Sequence, residues 1–213
     1  MPAATAAGHA LLPELIRPGV TERRIQIELE AEFLRHGART TGYGTIVGTG
    51  PNSAVLHFAP SGREVRPGDF VLVDAGAEVG RYVADVTRTH VAGNPTPFQR
   101  DLHQLVVRAE QRAIARCVAG AEWKAIHLAT AVDVMEGLVA MGVMRGAAAS
   151  LVEQDAHLLF FPHGVGHMVG LGVREGEQAP QEPARRLHGP HLEVLPEVLD
   201  HPGDGAAGAH RVH

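Results

Sequence analysis

The chain has 213 residues, 45% of them hydrophobic and only 4% aromatic, with a formal net charge of −5. That length supports one large domain or two small ones, with a core of Val, Leu, Ile and Ala rather than aromatic rings. The charge argues against a general nucleic-acid or anionic-membrane partner, since both need a basic surface.

The first segment, "MPAATAAGHALLPELI", reads as helix. It lacks the basic start and long apolar run of a signal peptide, and no later stretch approaches membrane-spanning length. A single cysteine, Cys117, builds no disulfide framework, so a reducing, cytoplasmic setting is expected. "PGV" at 18–20 stops the helix, and Thr21 is the N-cap of a second one, with Glu22 in its first turn. Ile25, Leu29 and Phe33 form one apolar stripe, and "HGA" at 36–38 ends it.

From Tyr43 to Gly93 the texture becomes β-branched and turn-rich. "YGTIVGTG", "SAVLHFA", "DFVLVDAGAEV" and "RYVADVTRTHV" read as four strands, with "RPGD" at 66–69 as a turn. A helix then opens at a Thr96 cap with Pro97 in first position and ends at Gly120. "EWKAIHLATAVDVMEGLVAMG" predicts a further helix, and "LLFFPHGVGHMVGLGVRE" reads as strand and loop. Residues 176–213 hold no Phe, Trp or Tyr and are dense in Pro, Gly and His; they read as a poorly ordered tail behind a domain at 1–175. Helices and strands that do not alternate strictly predict an α+β fold.

Two carboxylates fall in apolar runs, Asp74 and Asp85. A turn centred on Val79-Gly80 would set them directly opposite each other, with Cβ atoms roughly 5 Å apart. Like charges so placed repel, which one protonated carboxyl or a bound cation would resolve; hard divalent metals prefer oxygen donors. The bland alternative is that one or both face solvent.

"PHGVGH" at 162–167 carries His163 and His167. Gly164 and Gly166 make a helix poor here, so the segment reads as backbone held close to something. His57, in "AVLHFAP", reads on its own as a core histidine satisfied within a strand.

Together, "GTGPNSAVLHFAP", "VLVDAGAEVGRYVADVTRT" and "FFPHGVGHMVGLGV" resemble the catalytic domain of the pita-bread metallopeptidases, of the Xaa-Pro aminopeptidase and prolidase type. The likeness covers roughly residues 1–175 in order. It implies two divalent metal ions, manganese first with cobalt or zinc as alternatives, held by two Asp, one His and two Glu. By that resemblance Asp74, Asp85 and His167 are metal ligands, with Asp85 bridging, and His57 and His163 are catalytic residues at the substrate. The implied substrate is a peptide with proline in second position; a homodimer is the implied assembly.

Three departures accompany the resemblance. The chain begins at the catalytic domain's first helix, where such peptidases usually carry a separate domain. Arg174 stands where a further histidine is common; it can hold a carboxylate but not shuttle a proton. No Thr-x-Glu-Pro-Gly or Arg-x-Glu-Asp sequence follows Glu175, and neither Glu182 nor Glu197 has the right surroundings. An incomplete C-terminal sheet, impaired metal binding and an out-of-frame tail are therefore expected. Competing readings are a non-catalytic peptide- or partner-binding protein on this fold and a metal-binding protein built on His188, His191, His201, His210 and His213.

Overall fold

The computed structural model describes residues 2–173. Its described residues divide into two units: 2–103 with 168–173, and 104–167. Arg174 and the tail at 176–213 lie outside the described residues.

In the first unit, helices α1 (Pro2–Ala10) and α2 (Leu12–Leu15) precede α3 (Glu22–Arg35). Thr21 caps α3 as expected, its hydroxyl accepting from the Arg24 amide at 3.1 Å. Ile25, Leu29 and Phe33 are fully buried, which is the stripe the sequence pattern predicts. Strands β1 (Thr40–Thr41), β2 (Ile46–Thr49), β3 (Phe70–Asp74), β4 (Ala77–Val79), β5 (Tyr82–Val83) and β6 (Thr87–Val91) form two antiparallel sheets, ordered β1-β4-β5 and β2-β3-β6. Val47, Val65, Val71, Val73, Ala75 and Ala77 join the buried α3 stripe and Leu12 in one core.

Two expectations fail in this unit. "SAVLHFA" is not a strand: Gly50–Ala54 is a 3-10 turn, and His57 has φ 53°, a left-handed conformation no strand accommodates. His57 is therefore exposed rather than a core histidine. The hairpin register also differs. Asp74 pairs with Thr87, and Val79 with Tyr82, so the turn is centred on Gly80-Arg81. Both residues take positive φ, 60° and 72°, as a two-residue turn of the I′ kind requires. Val79 thereby stays extended, which suits its branched side chain.

Helix α4 (Pro97–Arg116) starts in the first unit and continues into the second. Thr96 and Gln99 cap each other reciprocally, the Thr96 amide donating to Gln99 Oε1 and the Gln99 amide to Thr96 Oγ1. The helix stops at Arg116, short of the expected Gly120. In the second unit α5 (Trp123–Ala140) packs closely on α4, and Gly137 leaves room for Leu105. Asp133 ties the two helices through Arg112 and Arg116, at 2.8 and 2.6 Å. A short α6 (Ala148–Glu153) and a 3-10 turn at Ala156–Leu159 follow. The expected strand after them is absent among the described residues: 160–173 is loop and turn, glycine-broken as the sequence suggests.

Candidate functional site

β3 ends on Asp74, and the paired chain continues past the strand ends through Ala75-Gly76 and Ala84-Asp85-Val86. The Ala75 amide donates to Val86 O at 3.1 Å, and the Ala84 amide to Ala77 O at 3.1 Å. A Cβ at Gly76 would lie 1.7 Å from the Ala84 carbonyl oxygen, so only glycine lets the backbones approach there. Asp85 precedes Asp74's partner Thr87 by two residues. Side chains alternate along a strand, so the two aspartates share a face diagonally, not directly opposite.

Tyr43 closes that gap. The Gly42 amide donates to Gly76 O at 2.8 Å, which fixes the chain just before the tyrosine. The Tyr43 hydroxyl then donates towards Asp74 Oδ1 and, at 2.9 Å, towards Asp85 Oδ1. One hydroxyl proton is thus shared between two carboxylate oxygens. Burial, followed by the charges of Asp74 and Asp85, pushes the phenol far above its ordinary range, so it remains a donor at any physiological pH. Asp85 is buried.

The convergence of two oxygen-donor carboxylates fits one side of a divalent-cation site. Among the described residues, however, no group of three or more His, Cys, Asp or Glu is arranged to hold a metal ion. His57 sits in the first unit on its exposed loop, while His163 and His167 belong to the second. The His163 ring stacks edge-on against Phe161, with centroids 5.0 Å apart, and its Nδ1 lies 3.0 Å from Gly164 O. Phe161 also touches His127, which faces the buried His157. Burial, then the neighbouring His157 and His163, hold the His127 pKa below the usual range; burial does the same at His157 against a smaller opposing pull from Asp155.

Sequence reasoning missed Tyr43 and the network around Glu22. The available signal was thin: Tyr43 is one of two tyrosines in an aromatic-poor chain.

The pattern of metallopeptidase family M24 matches residues 2–207. A Xaa-Pro aminopeptidase of Haemophilus influenzae is 37% identical over 184 residues, which is 86% of this chain and 43% of that protein. A Glu-to-Ala variant of Escherichia coli aminopeptidase P in complex with substrate aligns with a TM-score of 0.79 at 35% identity, covering 87% of this chain and 42% of that one. Pseudomonas aeruginosa aminopeptidase PepP aligns with a TM-score of 0.77 at 35% identity, over 80% and 39%. The chain therefore spans about four-tenths of the length of these relatives.

Proposed function

The chain belongs to metallopeptidase family M24, and on that premise we propose that it is a metal-dependent exopeptidase hydrolysing Xaa-Pro peptide bonds, of aminopeptidase or prolidase type. Its fold is α+β, of the pita-bread type of the aminopeptidase P structures. The observation that carries the reading is the meeting of Asp74 and Asp85 at a single hydroxyl.

Asp74, Asp85 and His167 would hold divalent cations, manganese by preference and cobalt or zinc in its place, whose chemistry when bound is to polarise a carbonyl and activate water. Tyr43 keeps the two carboxylates converged by donating to both. His57 and His163 present imidazole nitrogens that can accept or donate a proton at the substrate. Arg174 is assigned to a substrate carboxylate, as a guanidinium suits. The substrate is a peptide with proline at its second position, the setting cytoplasmic and the assembly a homodimer; neither nucleic acid nor membrane is a partner. We assign catalysis to residues 1–175 and leave 176–213 as an atypical tail.

The incomplete donor set of the described residues favours one second reading, a non-catalytic peptide- or partner-binding protein on the same fold. Metal analysis of the purified full chain, followed by Xaa-Pro peptide hydrolysis with added manganese, separates the two. Roughly two bound equivalents with turnover is the expected outcome for a two-metal site. Less than one equivalent and no turnover leaves the non-catalytic reading.

A further inference from the structure

Glu22 is an unusual residue to find fully buried at the first position of a helix. Its carboxylate is nevertheless surrounded. Oε1 accepts from the Thr49 amide at 2.8 Å, the Thr49 hydroxyl at 3.0 Å and the Asn52 amide group at 2.9 Å. Oε2 accepts from the Ser61 amide at 3.0 Å and the Ser61 hydroxyl at 2.5 Å. Burial raises its pKa, but the Ser61 hydroxyl, the Asn52 side chain and the Thr49 and Ser61 amides together outweigh that and hold it ionised.

The distribution of those donors is informative. One oxygen takes the chain where it leaves β2, at Thr49 and Asn52. The other takes it where it returns, at Ser61. Between them runs the segment 53–60, which carries exposed Val55, Leu56 and His57. The start of α3 reinforces the return: the Glu22 amide donates to Arg63 O and the Arg23 amide to Ser61 O. Arg63 in turn reaches back to the Thr49 hydroxyl and to Asp69. His57 holds a left-handed φ of 53°. A non-glycine residue in that region persists only when its surroundings over-determine it.

We propose that Glu22 is a positioning residue for His57, its two carboxylate oxygens clamping the two ends of the loop that presents this histidine. The proposal deepens the exopeptidase reading, on which it rests for the role of His57 at the substrate. Because its donors stand at both ends of the loop, the carboxylate ties the exit from β2 to the return at Ser61. The clamp makes the loop's conformation depend on one residue distant from it in sequence.

The test uses the full chain and two variants. Glu22→Gln keeps the side chain's size and loses its charge; Ser61→Ala removes a single donor at one end and leaves the carboxylate in place. Hydrogen exchange is read separately for the loop 53–60 and for the α3 core around Leu29, and the His57 ring resonances are followed by NMR in histidine-labelled protein. Exchange in the loop is expected to rise at least ten-fold in both variants, with the His57 signal broadened or doubled and the α3 core still protected. The KM for a Xaa-Pro peptide should rise several-fold, with a smaller change in kcat. Unchanged loop exchange and an unchanged His57 signal in a folded variant would overturn the proposal and leave Glu22 a stabilising residue only. Should Glu22→Gln fail to fold, Ser61→Ala decides the matter alone. If the parent chain neither binds nor cleaves the peptide, the exopeptidase reading fails while the exchange and NMR readouts still judge the clamp.

Discussion

Glu22 and the Asp74–Asp85 pair bury carboxylate in the same unit, but on opposite terms. At Glu22 five donors converge on one carboxylate, with both oxygens engaged. At Asp74 and Asp85 two carboxylates converge on one hydroxyl, whose proton they share. The first arrangement is complete within the fold and belongs to the scaffold. The second brings two negative charges together around a place that a cation would suit better than a phenol. What converges on what, more than burial itself, separates the two: donors gather around one anion at Glu22, and two anions gather around the Tyr43 hydroxyl.

The sharpest test of that contrast is to delete each acceptor. Glu22→Ala strands several buried donors, and unsatisfied groups of this kind cost about 3 kcal/mol or more together. Urea denaturation and calorimetry should show it as a fall in Tm of roughly 6–12 °C for a chain of this size. A loss under about 1 kcal/mol would erase the distinction, since hydrogen bonds of net worth would then be missing at Glu22. Asp85→Asn should behave the other way without metal, with stability unchanged or slightly raised as the like charges are relieved. Added manganese should stabilise the parent chain, by about 2.7 kcal/mol at a hundredfold excess over Kd. Thermal melts with manganese and then with chelator should show that gain vanish in Asp85→Asn, together with any hydrolysis. An equal gain in the variant would remove Asp85 from the cation site.

The same contrast marks what the sequence made legible. The α3 stripe and its Thr21 cap were readable because helix periodicity and capping act over three or four residues. The hairpin was readable too, but not its register. Gly80 announced the turn, whereas the positive φ of Arg81 beside it has no sequence signal. The loop at 53–60 misled because "AVLHF" has strand composition, while the preceding "GPN" bends the chain into a 3-10 turn first. Glu22 read as an ordinary first-turn acid, because its partners lie 27 to 39 residues away. Tyr43 was equally silent: 31 and 42 residues separate it from the aspartates it joins. The Asp pair could be suspected from its place in two apolar runs and its spacing across a turn, and the tyrosine that joins its members could not. Arg174 and the tail fall outside the described residues, so the Glu side of the metal cage was legible only as a departure in sequence.

Tyr43→Phe probes the weaker side of the comparison directly. The ring keeps its packing and only the shared proton is lost. Without metal the variant should lose about 1 kcal/mol, the net worth of a typical buried hydrogen bond. With manganese bound the difference between variant and parent should shrink, because a cation then balances the carboxylates. Melts of both proteins across a manganese series measure this. A difference that stays constant across the series would show that the hydroxyl and the cation do not serve the same charges.

The smallest effect is expected in the second unit, where titratable groups are buried neutral instead of charged. His127 and His157 face each other with ring centroids 6.1 Å apart, and the Nδ1 of each is buried without a hydrogen-bond partner in the structure. His163 adds to the unfavourable field at His127, and Asp155 alone opposes it at His157. Both folded pKa values therefore lie below the unfolded value of 6.5. Above that value both states are neutral and the pair has no effect on stability. As pH falls through it, the unfolded chain takes up protons that the folded chain resists, so stability drops. Glu22, held below its ordinary value of 4.5, contributes its own loss only in more acid solution, so the two windows separate. Melts between pH 7.5 and 5.5 should show a decline in Tm smaller than that of Tyr43→Phe, flattened in a His157→Gln variant. A decline of the same slope in that variant would place the titrating group elsewhere in the chain.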